Sequence, residues 1–342
     1  MALTARAAAM DGFVPYRIDG SADPPRVHWC RLGDRRFVEP FFEQTIQAAL
    51  EDPFALVFQH RTPLALLREF APPAFGPEPA GFVFHVSRCG STLVSQMLAS
   101  LPSCVVLSEP AVLDALLRGL QGDADGNWIG VLRGLVGALG RPRADGERRL
   151  FVKLDSWHIH ALPLLRRAFP EVPWIFLLRD PLEVLVSHRR QRGAQMIPGV
   201  LTPAAAGLEL ADAAAMEDTA YAAHVLARGC EAAARALPLG GGLLVHYDEL
   251  SLAVEDRIAT HFGVQFTEAE RTALRRVAGR DAKLPARAFE PDSQAKRADA
   301  TPRERELCDR IARPAYEALE ALRRSQLPVR PARSSPGRSA GG

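Results

Sequence analysis

From Gly81 onward, short apolar runs alternate with longer stretches whose apolar residues recur at helical spacing. The runs fall near 82–86, 104–107, 150–153, 173–178 and 242–246, and each is short enough to be a buried strand. The helical stretches fall near 91–101, 110–120, 127–139, 158–169, 181–192 and 209–236. Strands alternating with helical stretches predict an α/β fold, three-layered α/β/α, with a central parallel sheet of about five strands and right-handed crossovers. The first eighty residues lack this rhythm. There, Pro24 to Phe37 reads as extended or looped, and a helix is predicted over Pro40–Leu50, with Pro40 in its first turn and Phe41, Thr45, Ala48 and Ala49 on one face. The proline-rich stretch A-P-P-A-F-G-P-E-P-A at 71–80 breaks the chain before the core. The expected organisation is an N-terminal extension over 1–80, a core domain over 81–325 and a disordered tail over 326–342, rich in Pro, Arg, Ser and Gly.

The strand-to-helix junction at Phe84–Leu93, F-H-V-S-R-C-G-S-T-L, is the first candidate site. A tight loop between a strand and a helix start aims unpaired N–H groups, here those of Gly90, Ser91 and Thr92, at one point near the positive end of the helix dipole. The loop is therefore of P-loop type and suits an anion. It is not a nucleoside-triphosphate loop: His85 stands where the first Gly belongs, Ser91 replaces the Lys, and the cation has moved to Arg88. A second junction follows the strand Trp174–Leu178, where Arg179-Asp180-Pro181 opens a helix carrying Ser187 two turns on.

These two motifs, R-C-G-S-T and R-D-P-x-x-x-x-x-S, about ninety residues apart, closely resemble the donor-binding motifs of the sulfotransferase superfamily, whose donor is 3′-phosphoadenosine-5′-phosphosulfate (PAPS). The resemblance implies that Arg88, Cys89, Gly90, Ser91 and Thr92 hold the 5′-phosphosulfate and that Arg179 and Ser187 hold the 3′-phosphate. The run L-V-H-Y-D-E-L at 244–250 is similar to a strand-to-helix ending late in sulfotransferase cores. Spacing is closest to the tyrosylprotein branch: Glu109 lies twenty-one residues after Arg88, the interval that separates loop arginine from catalytic glutamate there, and Lys153 ends a strand as a family lysine does. Glu109 is thus the first candidate for general base, and Arg88 and Lys153 for stabilising the charge that moves to the leaving phosphate. A first-turn helix acid is the structural alternative for Glu109.

The chain departs from the family in two places. In the small-molecule branch a histidine follows the lysine as K-x-H, and here that position is Asp155; Asp155, His158 and His160 are therefore rival bases. The tryptophan that stacks on adenine in cytosolic members is replaced by Leu93. The stretch 289–297 offers Phe289 and the basic pair Lys296 and Arg297 as further nucleotide contacts. His85, inside its strand, reads as a core histidine.

Composition narrows the remaining classes. The sequence has 42 Lys and Arg against 40 Asp and Glu, a net charge of +2, which gives no global field for nucleic acid or a membrane surface. Five scattered cysteines without a C-x-x-C argue against a disulfide framework or zinc site, and no metal is expected. The N-terminal residues lack the apolar core of a signal peptide, so the expected location is the cytoplasm. The acceptor, a hydroxyl or amine on a small molecule or a polymer, is not written in any motif; the N-terminal eighty residues and the Ala-rich 201–236 lie outside the donor motifs and are expected to shape its cleft. A P-loop kinase or nucleotide hydrolase, and a catalytically silent nucleotide binder, are the alternatives. The first wants a loop lysine that is missing.

Overall fold

The computed structural model describes residues 10–57, 59–119, 128–280, 282 and 292–327. The sequence-expected sheet is present as five parallel strands, β4 (Pro79–His85), β5 (Cys104–Ser108), β6 (Arg149–Lys153), β7 (Trp174–Leu178) and β8 (Gly242–His246), in the order β5-β6-β4-β7-β8. The interior strands are buried along nearly their whole length, which is why they read as unbroken apolar runs and not as alternating ones. Helices α2 (Ser91–Ala99), α3 (Ala111–Gly119), α4 (Trp128–Gly140), α5 (Leu162–Ala168), α6 (Pro181–Arg190) and α7 (Asp218–Ala236) supply the crossovers and flank the sheet.

From β4 the chain passes to the edge strand β5, returns through β6, and crosses β4 to reach β7. The loop after β4 therefore lies at the point where strand order reverses, the place where such sheets leave a crevice at their carboxyl ends. Register brings the strand ends level: Lys153 pairs with Val83 on one side and Ser108 on the other, and His85 pairs with Leu177.

Before the core, β1 (Phe13–Asp19), β2 (Arg26–Arg31) and β3 (His60–Pro63) form an antiparallel sheet, with α1 (Phe42–Leu50) between the second and third. Val14, Val27 and Trp29 are fully buried and belong to the same hydrophobic cluster as the central sheet. The connection is made by a 3₁₀ segment, Leu64–Phe70, which lies along α4. It can approach because α4 presents glycines. A Cβ on Gly134 would sit 1.7 Å from the Leu67 carbonyl oxygen, and one on Gly137 would sit 2.0 Å from that of Phe70.

Three expectations change. The helix expected over 158–169 is a 3₁₀ turn, Ser156–Ala161, followed by α5, because Pro163 fits only a helix's first turn. The helix expected over 209–236 is broken at Met216 and Glu217, both extended, into Leu210–Ala215 and α7. Beyond β8, where the sequence reading assigned no element, α8 (Glu268–Ala278), α9 (Ser293–Asp299) and α10 (Arg313–Ser325) complete the layers. Phe289 and residues 328–342 of the expected tail lie outside the described residues. No described helix is long and apolar enough to cross a membrane.

The glycine contacts give a direct test of how the N-terminal segment is held. Gly134→Ala should cost about 3 kcal/mol of unfolding free energy, since the added methyl meets backbone and not a mobile side chain. Gly130→Ala, whose Cβ would meet only the Arg68 side chain at 3.4 Å, should stay within about 1 kcal/mol of the parent. Urea denaturation of the two variants checks the contrast.

Candidate functional site

The loop after β4 is built from unusual backbone. Ser87 and Arg88 have φ of 72° and 51°, and Gly90 has φ of 83°, before α2 begins at Ser91. Glu109, at the end of β5, has φ of 54°. Left-handed backbone is costly for residues with a Cβ, and Ser87, Arg88 and Glu109 all line one cavity, the pattern expected where strain serves a site. Gly90 must be glycine on two counts: its φ, and a Cβ that would fall 2.3 Å from Leu250 Cδ1 and 3.2 Å from Tyr247 Cδ2. The N–H groups of Ser91 and Thr92 belong to the first turn of α2, where no intrahelical acceptor is available, and both residues line the cavities at this loop.

Two cavities meet at this loop. One, of about 260 Å³, is lined by Arg88 to Leu93 together with Arg179, Ser187, Tyr247, Asp292 and Lys296. Arg179, whose side chain is 4% exposed, donates to Glu183 Oε2 (2.7 Å), to the Arg88 carbonyl (3.2 Å), to Asp292 Oδ1 (2.6 Å) and to Ser293 Oγ (3.1 Å). Its guanidinium carbon lies 3.8 Å from the centre of the Tyr247 ring. Lys296 is buried and pairs with Asp292 Oδ2 at 2.7 Å; burial draws its pKa down while the Asp292 carboxylate opposes that shift. The sequence-predicted Arg179, Ser187 and Lys296 thus converge with the loop on one space. Arg297 does not join them. One residue further round α9, it points to Glu183 Oε1 at 2.7 Å and is 54% exposed, because successive helical residues diverge by about 100°.

The second cavity, of about 240 Å³, is lined by Phe41, His85, Ser87, Arg88, Ser91, Thr92, Glu109, Asp155, Ser156, Trp157, Gly193 and Gln195. It shares Arg88, Ser91 and Thr92 with the first. Arg88 donates to the Gln191 carbonyl at 2.7 Å. Glu109 forms an ion pair with Lys153 and lies 3.2 Å from His85 Nε2; Nδ1 of that ring accepts from the Ser87 N–H at 3.0 Å, which fixes the strand's last residue against the loop. Burial alone would raise the Glu109 carboxyl, but the Lys153 ammonium and the His85 ring outweigh it and hold the group well below the usual carboxylate range. Lys153 itself is 1% exposed and lies behind Glu109, not on the cavity wall. The expectation that its ammonium faces the site is corrected to this extent: its strand end is in place, but the carboxylate covers it.

The rival bases separate clearly. Asp155 lines the cavity, and burial, reinforced by the Glu109 and Asp114 charges, raises its proton affinity well above that of an ordinary aspartate. His158 is buried and committed: Nδ1 accepts from the Asp155 N–H (3.2 Å) and Nε2 donates to Asp114 Oδ1 (2.9 Å). Asp114 also accepts from Trp157 Nε1 (2.7 Å) and Arg118 Nε (2.7 Å). The cluster of Asp114, Asp155 and His158 brings three potential ligand atoms within 4.8 Å of one another, yet the Asp114 oxygens are taken by these donors, and the arrangement holds Trp157 and Asp155 in place. His160 lines neither cavity; burial pushes its pKa down to about 4. Tyr247, Asp292, Asp114 and Trp157 escaped the sequence reading. The first lies within L-V-H-Y-D-E-L, and that run was the available signal.

No family model and no curated protein matches the sequence. Among solved structures, the chain is similar to the sulfotransferase domain of the Synechococcus PCC 7002 olefin synthase (19% identity, covering 75% of this chain and 98% of that one, TM-score 0.40). It is also similar to a sulfotransferase from Alicyclobacillus acidocaldarius (16%, 73% and 97%, TM-score 0.42) and to mouse sulfotransferase SULT7A1 complexed with PAP (12%, 77% and 93%, TM-score 0.42).

The two cavity carboxylates should act on stability with opposite signs. Glu109 titrates below its ordinary 4.5 in the fold, so its ion pair stabilises above that pH and the contribution is lost as the pH falls through the folded value. Asp155 titrates above its ordinary 3.8, so holding it in place costs nothing at low pH and progressively more as the pH rises. At pH near 7, Glu109→Gln should lower stability by about 3 kcal/mol by stranding the Lys153 ammonium. Asp155→Asn should raise stability, and both differences should narrow toward about pH 3. Denaturant titration across that range checks the signs.

Proposed function

We propose that this chain is a sulfotransferase that uses PAPS as donor. The observation that carries the reading is the joining of two cavities at one strained loop: Arg88, Ser91 and Thr92 line both, one cavity holding the cations Arg179 and Lys296 with Ser187, the other holding Glu109 and Asp155. Two buried cations beside a helix N-terminus fit a ligand with two separated anionic groups, as a 3′-phosphate and a 5′-phosphosulfate are. A nucleoside triphosphate presents its charge in one run and would leave Arg179 and Ser187 unmatched.

In this reading Arg179, Ser187 and Lys296 hold the 3′-phosphate, and Arg88 with the first-turn N–H groups holds the phosphosulfate. The donor supplies an activated sulfonate: its sulfur–oxygen bond to the 5′-phosphate breaks as a bond forms from sulfur to the acceptor oxygen or nitrogen. The acceptor, entering beside Phe41 and Trp157, gives its proton to a cavity carboxylate. Glu109 is the first choice for that base: it lines the cavity together with Ser87 and Arg88 of the loop, and the surrounding structure holds it in a left-handed backbone conformation. Accepting the proton would loosen its pair with Lys153 and release an ammonium toward the leaving phosphate. Asp155 is a second reading, favoured by its raised proton affinity in the same cavity.

Calorimetry with 3′-phosphoadenosine-5′-phosphate (PAP) and 5′-AMP tests the donor. PAP should bind distinctly more tightly, and Arg179→Ala should remove about 2 kcal/mol of that preference while Glu183 keeps Arg297 as its partner. Equal affinity for the two nucleotides in the parent protein would falsify the donor assignment. Turnover of labelled PAPS against a panel of hydroxyl and amine acceptors tests the base. Glu109→Gln, corrected for the folded fraction by PAP binding, should lose about 10²-fold or more in kcat, whereas a comparable loss confined to Asp155→Asn transfers the role to Asp155.

A further inference from the structure

The cavity containing Arg179 and Ser187 already holds an anion that belongs to the chain. Asp292 Oδ1 accepts from Arg179 Nη2 at 2.6 Å, and its Oδ2 lies 2.7 Å from Lys296 Nζ. The side chains of the two cations are only 4% and 7% exposed, whereas that of Asp292 is 43% exposed. One carboxylate bridging two buried cations is the arrangement that a phosphate group would take there. The second carboxylate on Arg179, Glu183, is of a different kind: its side chain is 2% exposed and it is pinned by Arg297 as well. Removing Glu183 from its cations would leave a charge buried without compensation, but removing Asp292 would return its carboxylate to water.

A buried cation pair needs a resident anion when no ligand is present. We propose that Asp292 is an internal competitor of the donor's 3′-phosphate: it neutralises Arg179 and Lys296 in the empty site, gives way to the phosphate, and by returning hastens release of the product nucleotide. This rests on the donor assignment above. A phosphate can win the exchange because it brings a charge between −1.5 and −2 and three acceptor oxygens, against one charge and two oxygens for the carboxylate. Weaker monoanions gain nothing over the resident group. Tyr247, whose ring centre lies 3.8 Å from the Arg179 guanidinium carbon, keeps the guanidinium in position whichever anion is bound.

The test compares the parent with Asp292→Asn, which keeps the shape and loses the charge, and with Asp292→Ala, which also loses the acceptor oxygens. Calorimetry uses PAP, 5′-AMP and inorganic phosphate, and stopped-flow displacement measures PAP dissociation. Both variants should bind PAP about tenfold more tightly, mostly through slower dissociation, and should bind inorganic phosphate more tightly as well, with 5′-AMP unchanged. Variants that bind PAP and phosphate no better than the parent, with unaltered melting temperatures, would overturn the proposal and leave Asp292 a structural partner of Arg179. If neither parent nor variants bind PAP, the donor assignment fails separately. The phosphate arm then decides Asp292's role: a gain in the variants keeps it as competitor of another phosphate-bearing ligand, and no gain removes it.

Discussion

A guanidinium taken out of water must find its partners inside the protein, and Arg179 finds hydrogen-bond acceptors on three separate pieces of chain and an aromatic face on a fourth. Glu183 comes from the first turn of α6, which follows Arg179, the Arg88 carbonyl from the loop after β4, Asp292 and Ser293 from the start of α9, and the Tyr247 ring from the chain just beyond β8. Hydrogen bonds to charged groups are worth about 1.5–3 kcal/mol each and lose that value steeply with misalignment. The four pieces are therefore held in register by one side chain, and the loop carrying Arg88 and Gly90 depends on that register for its shape.

The same logic governs the second cavity with carboxylates in place of guanidinium. Glu109 and Asp155 face one space of about 240 Å³; burial pushes both carboxyls up, but the ammonium and imidazole beside Glu109 outweigh it whereas the like charges near Asp155 add to it, so the two shift in opposite directions. Two acids with separated proton affinities in one cavity are the raw material of acid–base chemistry. Asp114 adds precision to this pair without lining the cavity: by accepting from Trp157 and His158 it fixes the turn from which Asp155 projects. The conformational cost of that arrangement is concentrated at Ser87, Arg88 and Glu109, where a well-packed sheet on both sides over-determines the backbone.

The parts of the fold that depend on neighbours in sequence are legible in the sequence itself. Buried parallel strands are recognisable as uninterrupted apolar runs, and a strand, a short Gly-Ser-Thr turn and a helix start define an anion cradle within ten residues. Ser187 was placeable because, about two helical turns beyond the strand end that carries Arg179, it can face the same point. The helix breaks at Pro163 and Met216 were blurred, since an Ala-rich or apolar stretch reads as helical through a local interruption.

By itself, then, the sequence determined the alternating sheet and the two anion-binding turns, because both arise from contacts within a few residues. Tertiary structure decided which charges are answered and which face a cavity. Lys153 ends its strand as expected, but Glu109 from the neighbouring strand covers it. Lys296 enters the site and Arg297 leaves it, a choice made by how α9 docks on α6. Tyr247 and Asp292 reach Arg179 from 68 and 113 positions along the chain, and a contact across such a separation has no local pattern to reveal it, only the packing that brings the elements together.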